Sequence, residues 1–125
     1  MELGAHQAFE SGARLPERVD AVIETVGAAT WSHSLKSLKP GGAIVVSGAT
    51  SGFAPSAELN RVYFLQLRIL GSTMGTKAEL AGLISFLHNT GLRPVIDREI
   101  PLEKAADGLA AMASGDLVGK IVLTV

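Results

Sequence analysis

Short apolar stretches alternate with amphipathic ones along the chain, and that alternation predicts an architecture. Val19–Val26 (VDAVIETV) is rich in β-branched residues and ends at Gly27, the pattern of a strand. Behind Thr30, a candidate cap, Trp31, Leu35 and Leu38 recur at i, i+4 and i+7, and Pro40-Gly41-Gly42 reads as the stop of that helix. Ala43–Ser47 is apolar on both faces, as in a parallel strand covered by helices on each side. Residues 48–57 read as a loop, Leu59–Leu67 as a short helix and Arg68–Thr73 as a third strand. Over Thr76–Thr90, Leu80, Leu83, Ile84 and Leu87 line one helical face, closed by Gly91. Pro94–Ile100 reads as a strand. The helix after Pro101 is expected to bury Leu102, Ala105, Ala106 and Leu109, and Val118–Val125 closes the chain as a strand. Strand and helix alternating at these lengths imply right-handed βαβ units, a mostly parallel sheet and the α/β class.

Composition narrows the partners more than the fold. At 125 residues, 47% hydrophobic and 18% charged, the chain suits one soluble globular domain and argues against disorder. A formal net charge of −1 gives no reason to expect nucleic acid or an anionic membrane as partner. The stretches around Arg14–Arg18 and Lys36–Lys39 are each too thin for a basic patch. No apolar run approaches the roughly 20 residues of a membrane span. The absence of cysteine rules out disulfides and thiolate metal sites, and with no apolar signal core at the start the default compartment is the reducing cytoplasm.

The glycines in LKPGGAIVVSGATSG (38–52) raise the question of a nucleotide site. A dinucleotide fingerprint needs G-x-G-x-x-G between a strand and the helix that holds the pyrophosphate. Here Gly41 and Gly42 precede the strand, while Gly48 and Gly52 lead into a Pro-containing loop. The fingerprint is absent from the chain, as is a Walker lysine loop. Ligands of open parallel sheets lie across the carboxyl ends of strands. Three such ends are small and glycine-bearing: Thr25-Val26-Gly27, Ser47-Gly48-Ala49-Thr50 and Gly71-Ser72-Thr73-Met74-Gly75. Tight strand-ending turns and close approach of a ligand both account for them.

Four segments, in order, carry a family resemblance: VDAVIETVG, SLKSLKPGGAIVVSGATSG, LQLRILGSTMGTKAEL and LRPVIDREIPLEKAADGLAAMASGDLVGKIVLTV. With the opening LGAHQAF they resemble the C-terminal half of the medium-chain dehydrogenase/reductase superfamily, nearest its zinc-binding-dehydrogenase-like and quinone-oxidoreductase-like branch. The resemblance implies that residues 1–92 form the second half of a Rossmann cofactor-binding domain. Residues 93–125 would be the segment that returns to the catalytic domain. It further implies that the catalytic lobe, the glycine fingerprint and the ribose-reading residue belong upstream of this sequence. Val26 and Gly27 would then sit near the cofactor's ribose and phosphates, and Gly48, Ala49 and Thr50 under the nicotinamide-side ribose. Ser72, Thr73 and Met74 would face the nicotinamide or its carboxamide, and Lys120 would contact the pyrophosphate, where a point charge is chemically sensible. The implied chemistry is hydride transfer between NADP or NAD, with NADP favoured, and a carbonyl, alcohol, quinone or enone. No residue of this chain is nominated as catalytic. The strand at 68–73 would lie at a sheet edge and pair across a homodimer.

Other constellations are weaker. His6, His33 and His88 lack ligand spacing, so no metal or zinc site is expected in this chain. Asp97 and Glu99 share one strand face and read as solvated carboxylates. Ser11, Ser47 and Ser51 lack the nucleophile elbow. Tyr63 reads as core or interface, and Trp31 as a core anchor. Two further readings stay open: a non-catalytic remnant or subunit that needs an N-terminal partner, and a methyltransferase using S-adenosylmethionine, which also carries an L-K-P-G-G run but should end in an antiparallel hairpin.

Overall fold

The computed structural model describes residues 3–115 and 117–125, and the chain divides into two compact units that meet in sequence at Met74 and Gly75. The first contains β1 (Val19–Glu24), α1 (Trp31–Ser37), β2 (Leu38–Val46), α2 (Leu59–Phe64) and β3 (Arg68–Gly71). Its three strands are all parallel, in the order β1-β2-β3. The α/β class and the parallel sheet expected from the alternation are therefore present.

In this ladder Val22 pairs with Ile44 and Ile44 with Ile69, so these side chains share one face. Leu35 of α1, Leu38, Ile44 and Leu67 form the buried core on that face, with Val22, Trp31, Val46 and Val62 packed around them. Leu35, Leu38 and Ile44 are fully buried, each contributing roughly 1.5–3 kcal/mol. The opposite face carries the in-register row Ile23, Val45 and Leu70. Within this unit no helix lies on that row: Ile23 is 68% and Leu70 48% exposed. Within the first unit alone, the helices cover one of the two faces expected to be covered from the apolar run at Ala43–Ser47.

The helix stop also lies elsewhere than expected. α1 ends at Ser37, and Leu38 is already extended (φ −79, ψ 140) and paired with Val19. Proline disfavours a helical residue before it, so Pro40 forces the chain out of the helix early. Leu38 keeps its place in the core as the first residue of β2. The ladder then steps from Val19–Leu38 to Ala21–Ala43, leaving Lys39–Gly42 as a bulge. Gly41 there has φ +76 and donates its N–H to the Leu65 carbonyl at 2.7 Å. Tyr63, expected in a core or interface, is exposed and lies against Phe64 with ring centroids 4.6 Å apart.

The second unit contains α3 (Lys77–Thr90), β4 (Ile96–Pro101), a 3₁₀ turn (Leu102–Lys104), α4 (Ala105–Ser114) and β5 (Lys120–Thr124). β4 and β5 pair parallel. α3 opens on a capping box: Glu79 N–H donates to Thr76 Oγ1 and Glu79 Oε2 accepts from Thr76 N–H. Gly91 closes it at φ +72. Its apolar positions Leu80, Leu83 and Ile84 are exposed.

α4 corrects the expected stripe. Leu102, Ala106 and Leu109 are exposed, whereas Gly108 is buried and Ala105 and Ala111 are half-buried. A Cβ at Gly108 would stand 2.8 Å from Ile100 Cδ1 and 3.4 Å from Ile121 Cγ2. The helix therefore lies on the β4–β5 pair through its smallest residues, which set the close spacing, and the large ones point away. Among the described residues no helix is long and apolar enough to cross a membrane.

Candidate functional site

The carboxyl ends of β1, β2 and β3 lie side by side, as parallel pairing requires, and one buried carboxylate organises the first of them. Glu24, the last residue of β1, is only 3% exposed. Its Oε1 accepts from Val26 N–H (2.8 Å), Gly27 N–H (3.0 Å) and Thr30 Oγ1 (2.7 Å), and its Oε2 accepts from Ser34 Oγ (2.5 Å). Burial alone would raise its pKa. The hydrogen bonds from Ser34, Gly27, Thr30 and Val26 together outweigh burial and hold it at about 2, against an ordinary 4.5. Glu24 thereby pins the strand end to α1.

The loop after β2 closes onto this turn. Ser51 donates both its N–H (2.8 Å) and its hydroxyl (2.7 Å) to the Val26 carbonyl, and its Oγ accepts from Ala29 N–H (2.9 Å). Ala28 N–H donates to the Gly52 carbonyl at 2.9 Å, and Ser47 N–H and Ser72 N–H extend the ladder to the Glu24 and Val46 carbonyls.

The two glycines of this region answer to protein backbone. Gly27 has φ +89, and a Cβ there would fall 2.4 Å from the Gly52 carbonyl oxygen and 2.9 Å from Ala49 Cα. A Cβ at Gly48 would fall 2.9 Å from the Thr25 carbonyl oxygen. Both glycines allow one strand end to nest against the next.

The nominated residues differ in what they have left to offer. At Val26 and Gly27 the N–H groups go to Glu24, the Val26 carbonyl to Ser51 and the Gly27 carbonyl to Thr30 and Trp31. This end is a closed platform that can support a ligand by contact. Among the described residues, the N–H groups of Gly48, Ala49, Thr50, Thr73 and Met74 have no internal partner. Gly48 and Ala49 are half-buried, Thr50, Ser72 and Thr73 exposed, and Met74 93% exposed. Lys120 belongs to the second unit, where it opens β5 as an exposed side chain. The preceding Gly119, at φ +106, has the Val95 carbonyl 2.4 Å from where a Cβ would be.

Glu24 was not among the residues singled out in the sequence, although a signal was there. An acidic residue directly follows the apolar run Ala21–Ile23 at the end of the strand, with hydroxyls six and ten residues later to receive it. Of the other candidates, His33 Nε2 lies 2.8 Å from the Ala13 carbonyl. Asp97 is held below its usual range by Arg98, then by Val118 N–H, the contacts of a structural ion pair. Trp31 is half-buried against the core, and its Nε1 has no partner. Among the described residues no three or more His, Asp or Glu gather as metal ligands.

A parallel α/β sheet whose strand ends are knitted into an exposed ledge is the architecture of the Rossmann-type dehydrogenases. The chain belongs to the zinc-binding dehydrogenase family, whose model matches residues 3–123. It is 32% identical over 110 residues to an acryloyl-coenzyme A reductase of Metallosphaera sedula, covering 86% of this chain and 33% of that protein. It is 34% identical over 125 residues to a zinc-type alcohol dehydrogenase-like protein of Leptosphaeria maculans, covering 91% and 34%. A crystal structure of an NAD-dependent alcohol dehydrogenase aligns with a TM-score of 0.78 at 35% identity, covering 87% of this chain and 32% of that one. The chain thus spans about a third of the length of the proteins it matches.

Proposed function

We propose that this chain supplies one wall of a nicotinamide dinucleotide site used for hydride transfer to or from a carbonyl, alcohol, quinone or enone. The observation that carries the reading is the ledge of unpartnered backbone N–H groups at Gly48–Thr50 and Thr73–Met74, beside the closed platform of Val26 and Gly27. Those donors suit the ribose and carboxamide of NADP or NAD, and Ser72 adds a hydroxyl. When bound, the cofactor supplies the hydride, while these residues orient the ring and shield it from water. Lys120 would add a charge to the pyrophosphate. Residues 1–92 would serve as the second half of the cofactor domain and residues 93–125 as a returning segment of the catalytic domain.

These residues by themselves are expected to bind the dinucleotide weakly, because no described strand leads through a glycine fingerprint into the helix that usually holds a pyrophosphate. A second reading, a subunit that needs an N-terminal partner, is favoured by the exposed apolar side chains Ile23 and Leu70 on either side of Val45. The parallel pairing of the last two strands runs against the methyltransferase alternative, which calls for an antiparallel end. The exposed edge of β3 also supports pairing with a second copy.

Titration of the purified chain with NADPH, followed by fluorescence and by amide shifts, tests the reading. The expected result is binding weaker than micromolar, with shifts centred on 48–50 and 72–74 and smaller ones at 26–27 and Lys120. Micromolar affinity would overturn the expected weakness, and shifts that avoid those residues would overturn the wall.

A further inference from the structure

Arg14 and Arg18 lie in one thin basic stretch of the sequence and Lys36 in another. The first unit brings all three around a single open cavity of about 650 Å3, together with Glu17, Ser32 and His33. That volume falls within the roughly 300–1,000 Å3 of small-molecule sites. Its two walls are the segment 12–18 and the flank of α1, tied together where His33 Nε2 meets the Ala13 carbonyl at 2.8 Å. The ion pairs of the described residues are Lys39–Asp20, Arg61–Glu58 and Arg98–Asp97, so none of the three cavity cations is spent in one. Glu17 is the one carboxylate among the lining residues. Glu58, outside the lining, is held low by a hydrogen bond from Ser32, then by Arg61 and least by Lys36. A second carboxylate thus stands beside the α1 wall, and Arg14 and Arg18 are the cations farther from it in sequence. No strand-end residue nominated for the nicotinamide site lines this cavity.

We propose that this cavity binds a small phosphate-bearing anion. Two guanidinium groups offer planar pairs of N–H donors that match phosphate oxygens, and Lys36 adds a point charge at the rim. A single exposed charge pair is worth little in water, so several cations acting on one multiply charged group are needed. A diphosphate meets that requirement better than a monophosphate. The proposal stands apart from the nicotinamide reading, since it uses other residues.

The test is titration of the isotopically labelled full chain with inorganic pyrophosphate at low ionic strength, read by amide shifts. Saturable shifts are expected within 12–18 and 31–37, with Val26, Gly48–Thr50 and Thr73–Met74 unmoved. Inorganic phosphate should bind more weakly, and added salt should weaken both. The double variant Arg14→Gln/Arg18→Gln should lose roughly tenfold in affinity and Lys36→Gln less, because charge-assisted hydrogen bonds are lost. Arg14, Arg18 and Lys36 are all exposed, so an unchanged spectrum of the free variants is expected and checks their folding. Unchanged affinity in the double variant, shifts centred on the strand ends, non-saturating shifts, or citrate binding as tightly as pyrophosphate would each overturn the assignment.

Discussion

Ser34 Oγ donates to Glu24 Oε2 at 2.5 Å, joining the last residue of β1 to the middle of α1 with both side chains buried. The folded pKa of Glu24, about 2, lies below its ordinary 4.5. The stability it contributes is therefore fully present above about pH 4.5 and is lost as pH falls toward 2, amounting to about 3 kcal/mol. Urea denaturation of the wild type should show that loss across this window, and the Glu24→Gln variant a flatter profile. Equal slopes in the two proteins would remove Glu24 as the cause.

Ser34→Ala deletes one of four donors to the carboxylate, and Glu24→Ala leaves all four donors without their acceptor. Ser34→Ala should cost about 1–3 kcal/mol and Glu24→Ala distinctly more. Thermal unfolding followed by circular dichroism ranks them, and a reversed order would contradict the hub described for Glu24.

Gly27 and Gly41 both have positive φ, yet only Gly27 faces a backbone oxygen where a Cβ would go. Gly41→Ala should cost about 1–2 kcal/mol for its left-handed backbone. Gly27→Ala must also displace the loop at Ala49–Gly52, so a loss above about 3 kcal/mol is expected. Denaturant midpoints of the two variants measure the difference, and similar values would mean the loop yields freely.

At Gly108 a Cβ already meets Ile100 Cδ1 at 2.8 Å and Ile121 Cγ2 at 3.4 Å, so the much larger side chain of Gly108→Leu should cost about 3 kcal/mol or more through overpacking against β4 and β5. Leu109→Ala, on the exposed side of the same helix, should stay within about 0.5 kcal/mol. Comparable losses at both positions would restore Leu109 to the buried stripe.

Pairing of β3 with a second copy predicts a dimer by light scattering. Substituting Leu70→Lys in that strand, all four residues of which are exposed, should shift the equilibrium toward monomer. A wild-type chain that stays monomeric at high concentration would dispose of the interface.

The element order was legible because each strand and helix carries its own period, and Pro40 and Gly91 mark real punctuation. The end of α1 was not, because the influence of Pro40 reaches back to Leu38 through Lys39. The stripe of α4 misled for a different reason. Large apolar residues look like the buried ones, but close approach to β4–β5 selects Gly108 and its small neighbours. The strand-end segments stood out for their glycines, but those glycines were not legible in the sequence as contacts between loops. That distinction lives in the tertiary pairing of Gly27 with Gly52 and of Gly48 with Thr25. Glu24 was hidden because its four donors come from separate positions that only the turn assembles.

The clasp at Ser51 has a mechanical side. One hydroxyl holds the Val26 carbonyl and the Ala29 amide at once, so the turns after β1 and β2 cannot move independently. The two strand ends behave as one plate, so a displacement of the loop at Gly48–Thr50 would be carried through that hydroxyl to the threshold of α1.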